Sequence, residues 1–232
     1  MSIVGTGGYF GIRYTLSRTS GVQIAAEDLR PSAGNVYQRV TGDDSEEDRS
    51  HWDTLFSSQN YVFGKEPAEF LKKHVDLLPV GRALDIAMGE GRNAVYLAQK
   101  GFHVEGVDIS EVAIRKARRL ARERNVTLFT ENADLKDYQI RPGYYDVILN
   151  IQYLQRSLVP QIIQGLRPGG VVVFENETVD QLQNPEGRST PRDYLLEKGE
   201  LRRMFGDLEV LVYEEVNDGH EAVARLIARR PR

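Results

Sequence analysis

The residues richest in chemistry lie in Ala83-Leu-Asp-Ile-Ala-Met-Gly-Glu-Gly-Arg-Asn-Ala94, whose glycines have the G-x-G-x-x-A spacing of a turn between a strand and a helix. Such a turn lets the backbone approach a ligand closely, and the helix N-terminus behind it adds partial positive charge. A pyrophosphate would suit that field, as in a nicotinamide dinucleotide. Asp85 at the strand end and Glu90 between the glycines argue against it, because carboxylates beside a pyrophosphate repel it. The same carboxylates attract a ligand that carries an ammonium and a sulfonium, and S-adenosylmethionine is such a ligand.

Asp108 closes the next apolar run, where a carboxylate can accept both ribose hydroxyls of a nucleoside; both cofactor classes use this. Asp134, in Glu131-Asn-Ala-Asp-Leu135, is placed to accept an adenine amino group while Leu135 packs on the ring. The competing role for Asp134 is capping a short turn. Asn150-Ile-Gln-Tyr153 matches the N-P-P-Y arrangement of amino-group methyltransferases only loosely, since both prolines are missing, and nucleic acid is not the expected substrate.

Composition narrows the field further. A formal net charge of -4 gives no global field for nucleic-acid phosphates. The absence of cysteine removes disulfides, thiolate catalysis and cysteine-ligated zinc. His51, His74, His103 and His220 lack ligand spacing, so no metal is expected. There is neither a basic leader followed by an apolar run nor a stretch near the ~20 apolar residues that span a bilayer, and a cytoplasmic location is expected.

From Arg82 onward, short apolar runs alternate with helix-period segments, the pattern of a parallel sheet with crossover helices. Strands are expected at Ala83 to Ala87, His103 to Asp108, Thr127 to Thr130, Asp146 to Asn150, Gly170 to Glu175, Leu208 to Tyr213 and Ala222 to Ala228. Helices are expected at Ala68 to Val75, Arg92 to Lys100, Glu111 to Glu123, Leu154 to Leu166 and Glu197 to Phe205. Gly101 should close one helix in the left-handed conformation and Ser110 should open the next. The fold class is therefore α/β, a doubly wound, mostly parallel seven-stranded sheet with helices on both faces and an antiparallel edge hairpin. The basic helix from Glu111 to Arg124 reads as amphipathic with solvated arginines.

Residues 1–50 differ in kind from the domain at 51–232. Phe10, Ile12, Tyr14 and Leu16 alternate with polar or small residues, which predicts a β-hairpin that must pack on the main domain or on a second copy as a homodimer arm. The run Gly5-Thr-Gly-Gly-Tyr-Phe-Gly11 is better read as hairpin than as phosphate loop, and the acidic run Asp43 to Asp48 as a solvated linker. Asn176 to Arg192 reads as a loop at the mouth of the site, with Arg188 and Arg192 read as ordinary surface arginines and attraction of an anionic acceptor as the alternative.

Taken in order, the stretch from Ala83 to Ala94, Gly106-Val-Asp-Ile-Ser110, Asn132-Ala-Asp-Leu135, Tyr145-Asp-Val-Ile-Leu-Asn150 and Leu166-Arg-Pro-Gly-Gly-Val-Val-Val-Phe-Glu175 resemble the successive motifs of class I S-adenosylmethionine-dependent methyltransferases, over about Ser50 to Arg229. Tyr61-Val-Phe-Gly-Lys-Glu-Pro67 and Tyr153-Leu-Gln-Arg156 are similar to the tellurite-resistance-like and thiopurine-methyltransferase-like branch. Ala87 stands where that pattern often has glycine. The resemblance implies methyl transfer to a small molecule, with S-adenosylmethionine as cofactor. It places Asp85, Ala87, Gly89, Glu90, Gly91, Asn93 and Asn150 toward the methionine end and Asp108 with Ile109 at the ribose. Ala133, Asp134 and Leu135 fall at the adenine, and Tyr61 and Phe63 over the cofactor. The acceptor side implied is Asn150, Tyr153, Arg156 and Glu175, above the carboxyl ends of strands four and five. A nicotinamide oxidoreductase and a non-catalytic S-adenosylmethionine-binding module are the alternatives.

Overall fold

The computed structural model describes residues 45–184 and 190–232. Seven strands form one sheet: β1 (Arg82–Ile86), β2 (His103–Asp108), β3 (Phe129–Asn132), β4 (Tyr145–Ile151), β5 (Leu166–Glu177), β6 (Glu209–Asn217) and β7 (Ala222–Arg229). Their order is β3-β2-β1-β4-β5-β7-β6. The pairs among β1 to β5 are parallel, and β7 runs antiparallel to both β5 and β6. The expected edge hairpin is present, with its second strand inserted against β5. The order reverses direction at β1, and a crevice for a ligand opens where β1 and β4 diverge at their carboxyl ends.

The β1, β4, β5 and β7 strands are buried on both sides, so their sequences read as near-continuous apolar runs. Leu84, Ile86, Ile148, Val172 and Leu226 pack on one face with Val159 and Ile162 of α5 (Val159–Gly165) and Leu201 of α6 (Glu200–Met204). On the other face, Ala83, Val147, Leu149 and Val173 meet Phe70 and Leu71 of α2 (Glu69–His74) and Ala94 and Leu97 of α3 (Arg92–Gln99). Helix α4 (Glu111–Glu123) lies beside α3, sharing Val95, Leu120 and Ala121. Its first turn is capped as expected, the Ser110 hydroxyl accepting from the Ala113 amide at 3.1 Å. Gly101, at φ 90°, closes α3 in the left-handed region.

Two expectations need correction. The stretch Ser45–Phe56 is a helix, α1, with Glu46, Glu47 and Asp48 in its first turn, so this part of the acidic run is not a linker and a boundary at residue 50 cuts through an element. Carboxylates there are favoured by the helix dipole, a signal the charge run masked. The helix predicted from Leu154 begins instead with a 3-10 turn, Arg156–Leu158, ahead of α5. The hairpin expected at Phe10 to Ile24 and the Gly5 to Gly11 run lie outside the described residues. Among the described residues no helix is long and apolar enough to cross a membrane.

Candidate functional site

A cavity of about 500 Å³ opens at the carboxyl ends of β1, β2 and β4 and is roofed by α1 and the segment that follows it. The floor is the turn Ala87 to Glu90 with Arg92 and Asn93; one wall is Asp108, Ile109, Asp134 and Leu135; the far wall is Ile151 to Gln155, Asn176 and Tyr194. Trp52 and Phe56 of α1 and Phe63 beyond it form the roof, Trp52 and Phe56 stacking at 5.8 Å and Phe56 meeting Phe63 edge-on at 6.2 Å.

The turn works through strained positions. Ala87, Gly89 and Gly91 have φ of 51°, 53° and 82°, and Ala87 holds its conformation without the freedom of glycine. The two glycines serve different neighbours. A Cβ on Gly89 would stand 3.5 Å from the Phe56 ring, whereas one on Gly91 would come within 2.6 Å of the Ala117 Cβ. Gly91 therefore lets the turn press against α4, and the expectation that it borders the cofactor is corrected.

Asp108 accepts the Gly89 amide on Oδ2 and the Ser110 amide on Oδ1, both at 2.8 Å. Burial nevertheless pushes its pKa up to about 6, since two amides only partly replace water. Asp85 is more extreme. Burial drives it to about 7, a nearby Asp108 adds to the rise, and its Oδ2 has no partner. Asp134 uses Oδ1 for the Lys136 amide at 2.8 Å, which is the turn-capping role, while the buried Oδ2 has no partner. Asn150 is fully buried one residue before the cavity wall, with neither amide atom partnered.

Several expected site residues have other work. Glu90 turns its side chain away from the glycine turn's ligand face: Oε2 accepts the Val62 amide at 2.7 Å and Oε1 lies 2.5 Å from the Lys116 ammonium. Its charge is thus neutralised by the protein. Tyr61 does not line the cavity; its hydroxyl donates to the Lys116 carbonyl at 3.1 Å and Arg119 donates to it at 3.3 Å, on the outer side of α4. Arg156 grips the Glu200 carboxylate through Nε at 2.6 Å and donates to the Asp193 and Leu195 carbonyls at 2.9 Å. Glu175 pairs with Arg225 across β5 and β7 at 2.7 Å. Neither faces the cavity, nor do Asp85, Ala133 and Asn150, which stand behind its walls. Phe63, Ala87, Gly89, Glu90, Asn93, Asp108, Ile109, Asp134, Leu135 and Tyr153 do line it. The Tyr153 hydroxyl donates to Gln155 at 2.6 Å, and burial raises its pKa.

The loop expected from Asn176 starts later, since Asn176 and Glu177 still belong to β5; Asn176 donates to the Tyr194 carbonyl at 2.8 Å, and both residues line the cavity. Arg192 pairs with Glu197 at 2.6 Å, and Arg188 lies outside the described residues. Sequence reasoning found Phe63 but missed the α1 part of the roof, although Trp52 and Phe56 sit at i, i+4 on one helix face. It also missed Lys116, which occupies a buried position between Ala113 and Leu120 at helix spacing.

This geometry fits a nucleoside with a cationic tail. Asp134 offers a buried, unused acceptor beside the apolar Leu135, Asp108 keeps lone pairs beyond its two amides, and Asp85 behind the floor has a carboxylate oxygen with no hydrogen-bond partner.

Comparison with known proteins agrees in fold and motif. The family model described as "Tellurite resistance protein TehB" matches residues 53–225. A probable S-adenosyl-L-methionine-dependent methyltransferase TehB of Haemophilus influenzae is 26% identical over 141 residues, 58% of this chain and 48% of that protein. A tRNA (uracil(54)-C(5))-methyltransferase of Pyrococcus abyssi is 29% identical over 125 residues, 53% of this chain and 29% of that one. The chain thus spans about half the length of the first relative and less of the second. The crystal structure of TehB from Haemophilus influenzae superposes with a TM-score of 0.60 at 18% identity, covering 78% of this chain and 66% of that one. With the family match running from Asp53 in the roof helix through the glycine turn to Arg225 on β7, the chain belongs to the tellurite resistance protein TehB family.

Proposed function

We propose that the protein is an S-adenosylmethionine-dependent methyltransferase that transfers a methyl group to a small-molecule acceptor by in-line displacement. The observation that carries this reading is the pair of carboxylates on one wall of a roofed cavity, buried Asp108 and half-buried Asp134, the second with a buried oxygen that accepts no hydrogen bond from the protein. S-adenosylmethionine, when bound, supplies a methyl group on a sulfonium that is ready to leave. Asp134 would hold the adenine amino group, Asp108 the ribose hydroxyls, and the Gly89 turn the amino-acid end. Trp52, Phe56 and Phe63 exclude water from above. The sulfonium charge is lost as the methyl group leaves sulfur, so orientation and dryness supply much of the catalysis; an acceptor that arrives as an anion needs no dedicated base, and a neutral one gives up its proton as the bond to the methyl carbon forms.

The acceptor enters against Gln152, Tyr153, Asn176 and Tyr194. A cavity with a helix lying across it favours a small acceptor over a base within a nucleic acid, and the net charge of -4 favours the same choice. Arg156 and Glu175 are removed from the catalytic set by their structural partners. Tyr153 remains as an acceptor-positioning group, and Asn150 as a reserve of hydrogen bonding behind the wall. The reaction is assigned to the cytoplasm.

Calorimetric titration with S-adenosylhomocysteine and with a nicotinamide dinucleotide tests the cofactor, with micromolar binding of the first, roughly -8 kcal/mol, as the expected result. Binding of the dinucleotide alone would replace this reading by an oxidoreductase. A screen of thiols, amines, phenols, metalloid oxyanions and tRNA for S-adenosylhomocysteine release then identifies the acceptor. Turnover with tRNA alone would overturn the small-molecule assignment, and binding without turnover on any acceptor would leave a binding module.

A further inference from the structure

We infer that Glu90 and Lys116 act as one unit that positions the aromatic roof, and that Glu90 does so from within the turn that faces the cofactor. The part of the inference that concerns the cofactor rests on the methyltransferase reading; the part that concerns the roof does not.

Residues 57–68 contain no helix or strand, so their backbone groups need partners from elsewhere. The Lys116 ammonium donates to the carbonyls of Phe56, Ser58 and Asn60 at 3.2, 2.9 and 2.6 Å. Glu90 accepts the amides of Val62 and Phe63 at 2.7 and 3.4 Å. The two side chains, 8% and 2% exposed, close the set by their own 2.5 Å contact. An ion pair buried this deeply is held because each charge also takes part in hydrogen bonds, here three carbonyls on the ammonium and two amides on Glu90 Oε2, all from a single stretch of backbone, while Oε1 faces the ammonium alone. Phe56 and Phe63 are the first and last of the anchored residues, and both line the cavity roof. The neighbour of Glu90 in the turn, Gly89, donates its amide to Asp108. One short turn therefore contacts the ribose-binding carboxylate on one side and the roof on the other, and a displacement of either is felt by both.

Trp52 is the single tryptophan of the chain and stacks on Phe56, so its emission reports the roof directly. In ligand-free protein, Glu90→Gln and Lys116→Met should each red-shift Trp52 emission and increase its quenching by acrylamide, with helix content kept by circular dichroism. Each should also weaken S-adenosylhomocysteine binding on the order of tenfold or more, the scale of a misplaced binding wall. The double variant should be no worse than the worse single one, and Lys116→Arg should recover part of the Trp52 signal. Unchanged quenching in both single variants, or effects that sum in the double, would overturn the inference. If a variant does not fold, hydrogen exchange on the wild type decides: the Val62 amide should be protected like the sheet core, and exchange at an open-loop rate would refute the anchor. If the wild type binds no S-adenosylhomocysteine while Trp52 responds as stated, the roof assignment stands and the methyltransferase reading fails.

Discussion

Asp85 and Asp108 are carboxylates that the ligand-free protein holds at a cost. Their folded pKa values, about 7 and about 6, lie above the ordinary value of 3.8. A raised folded pKa means that the stability these groups contribute is complete below about pH 4 and is lost as pH rises through 6 and then 7. A bound cation reverses the balance by favouring both charged forms. The thermal stabilisation given by S-adenosylmethionine should accordingly be larger at pH 8 than at pH 5.5, measured by calorimetric scans with and without ligand; equal shifts at both pH values would contradict this account. Asp85→Asn should raise the melting temperature of the ligand-free protein at pH 8 and change it little at pH 5, because an amide removes the buried charge and keeps the volume. Asp134→Ala should weaken cofactor binding by about 1 to 3 kcal/mol without lowering stability comparably, since one hydrogen bond to the ligand is lost. Asp85 and Asp108 were apparent in the sequence because each carboxylate stands at or next to the end of an apolar strand, and Asp134 because it follows the third strand directly ahead of an apolar residue. Glu90, Arg156 and Glu175 were equally visible and misassigned, because residue type and position do not reveal which way a long side chain turns.

At the level of elements, the glycine turn divides into a ligand half and a packing half. Gly89→Ala should block the cofactor and lower stability by only about 1 to 2 kcal/mol, the cost of a left-handed alanine, since its Cβ is in ordinary contact with Phe56. Gly91→Ala should instead lower stability by about 2 to 5 kcal/mol, adding a left-handed non-glycine residue to an overpacked contact with Ala117. Denaturant midpoints and ligand titrations on the same two variants separate these outcomes; a stable Gly91→Ala protein that fails to bind would restore the original reading of that glycine. The strands and main helices followed from periodicity because each buries apolar side chains at a regular interval. Helix α1 did not, because its mean hydropathy is low and only Phe56 is buried; it is held by polar contacts that no periodicity encodes. Arg49 donates to the Ile109 carbonyl at 3.0 Å and to Asn132 at 2.8 Å, Asp53 accepts the Ser110 hydroxyl at 2.6 Å, and Asp48 pairs with Lys136 at 3.2 Å.

For the molecule as a whole, these anchors fix where the functional domain begins. Deleting residues 1–44 should leave cofactor affinity unchanged, whereas deleting 1–57 should weaken it strongly by removing Trp52 and Phe56 from the roof. If residues 1–44 supply a homodimer arm, as their alternating apolar pattern suggests, the shorter deletion should also reduce the solution mass from dimer to monomer in light scattering. A full-length chain that is already monomeric would dispose of the arm. The order β5-β7-β6 has a further bearing, on how the chain emerges during synthesis. The free edge of β5 is covered by β7, which follows it only after α6 and β6. Until then Val171 to Phe174 are part of an unpaired apolar edge, the kind of template on which chains associate with one another. A nascent or truncated product that stops before Ala222 would therefore depend on chaperones, and translation pausing in that interval would send more of the protein into inclusion bodies than pausing anywhere between β1 and β4.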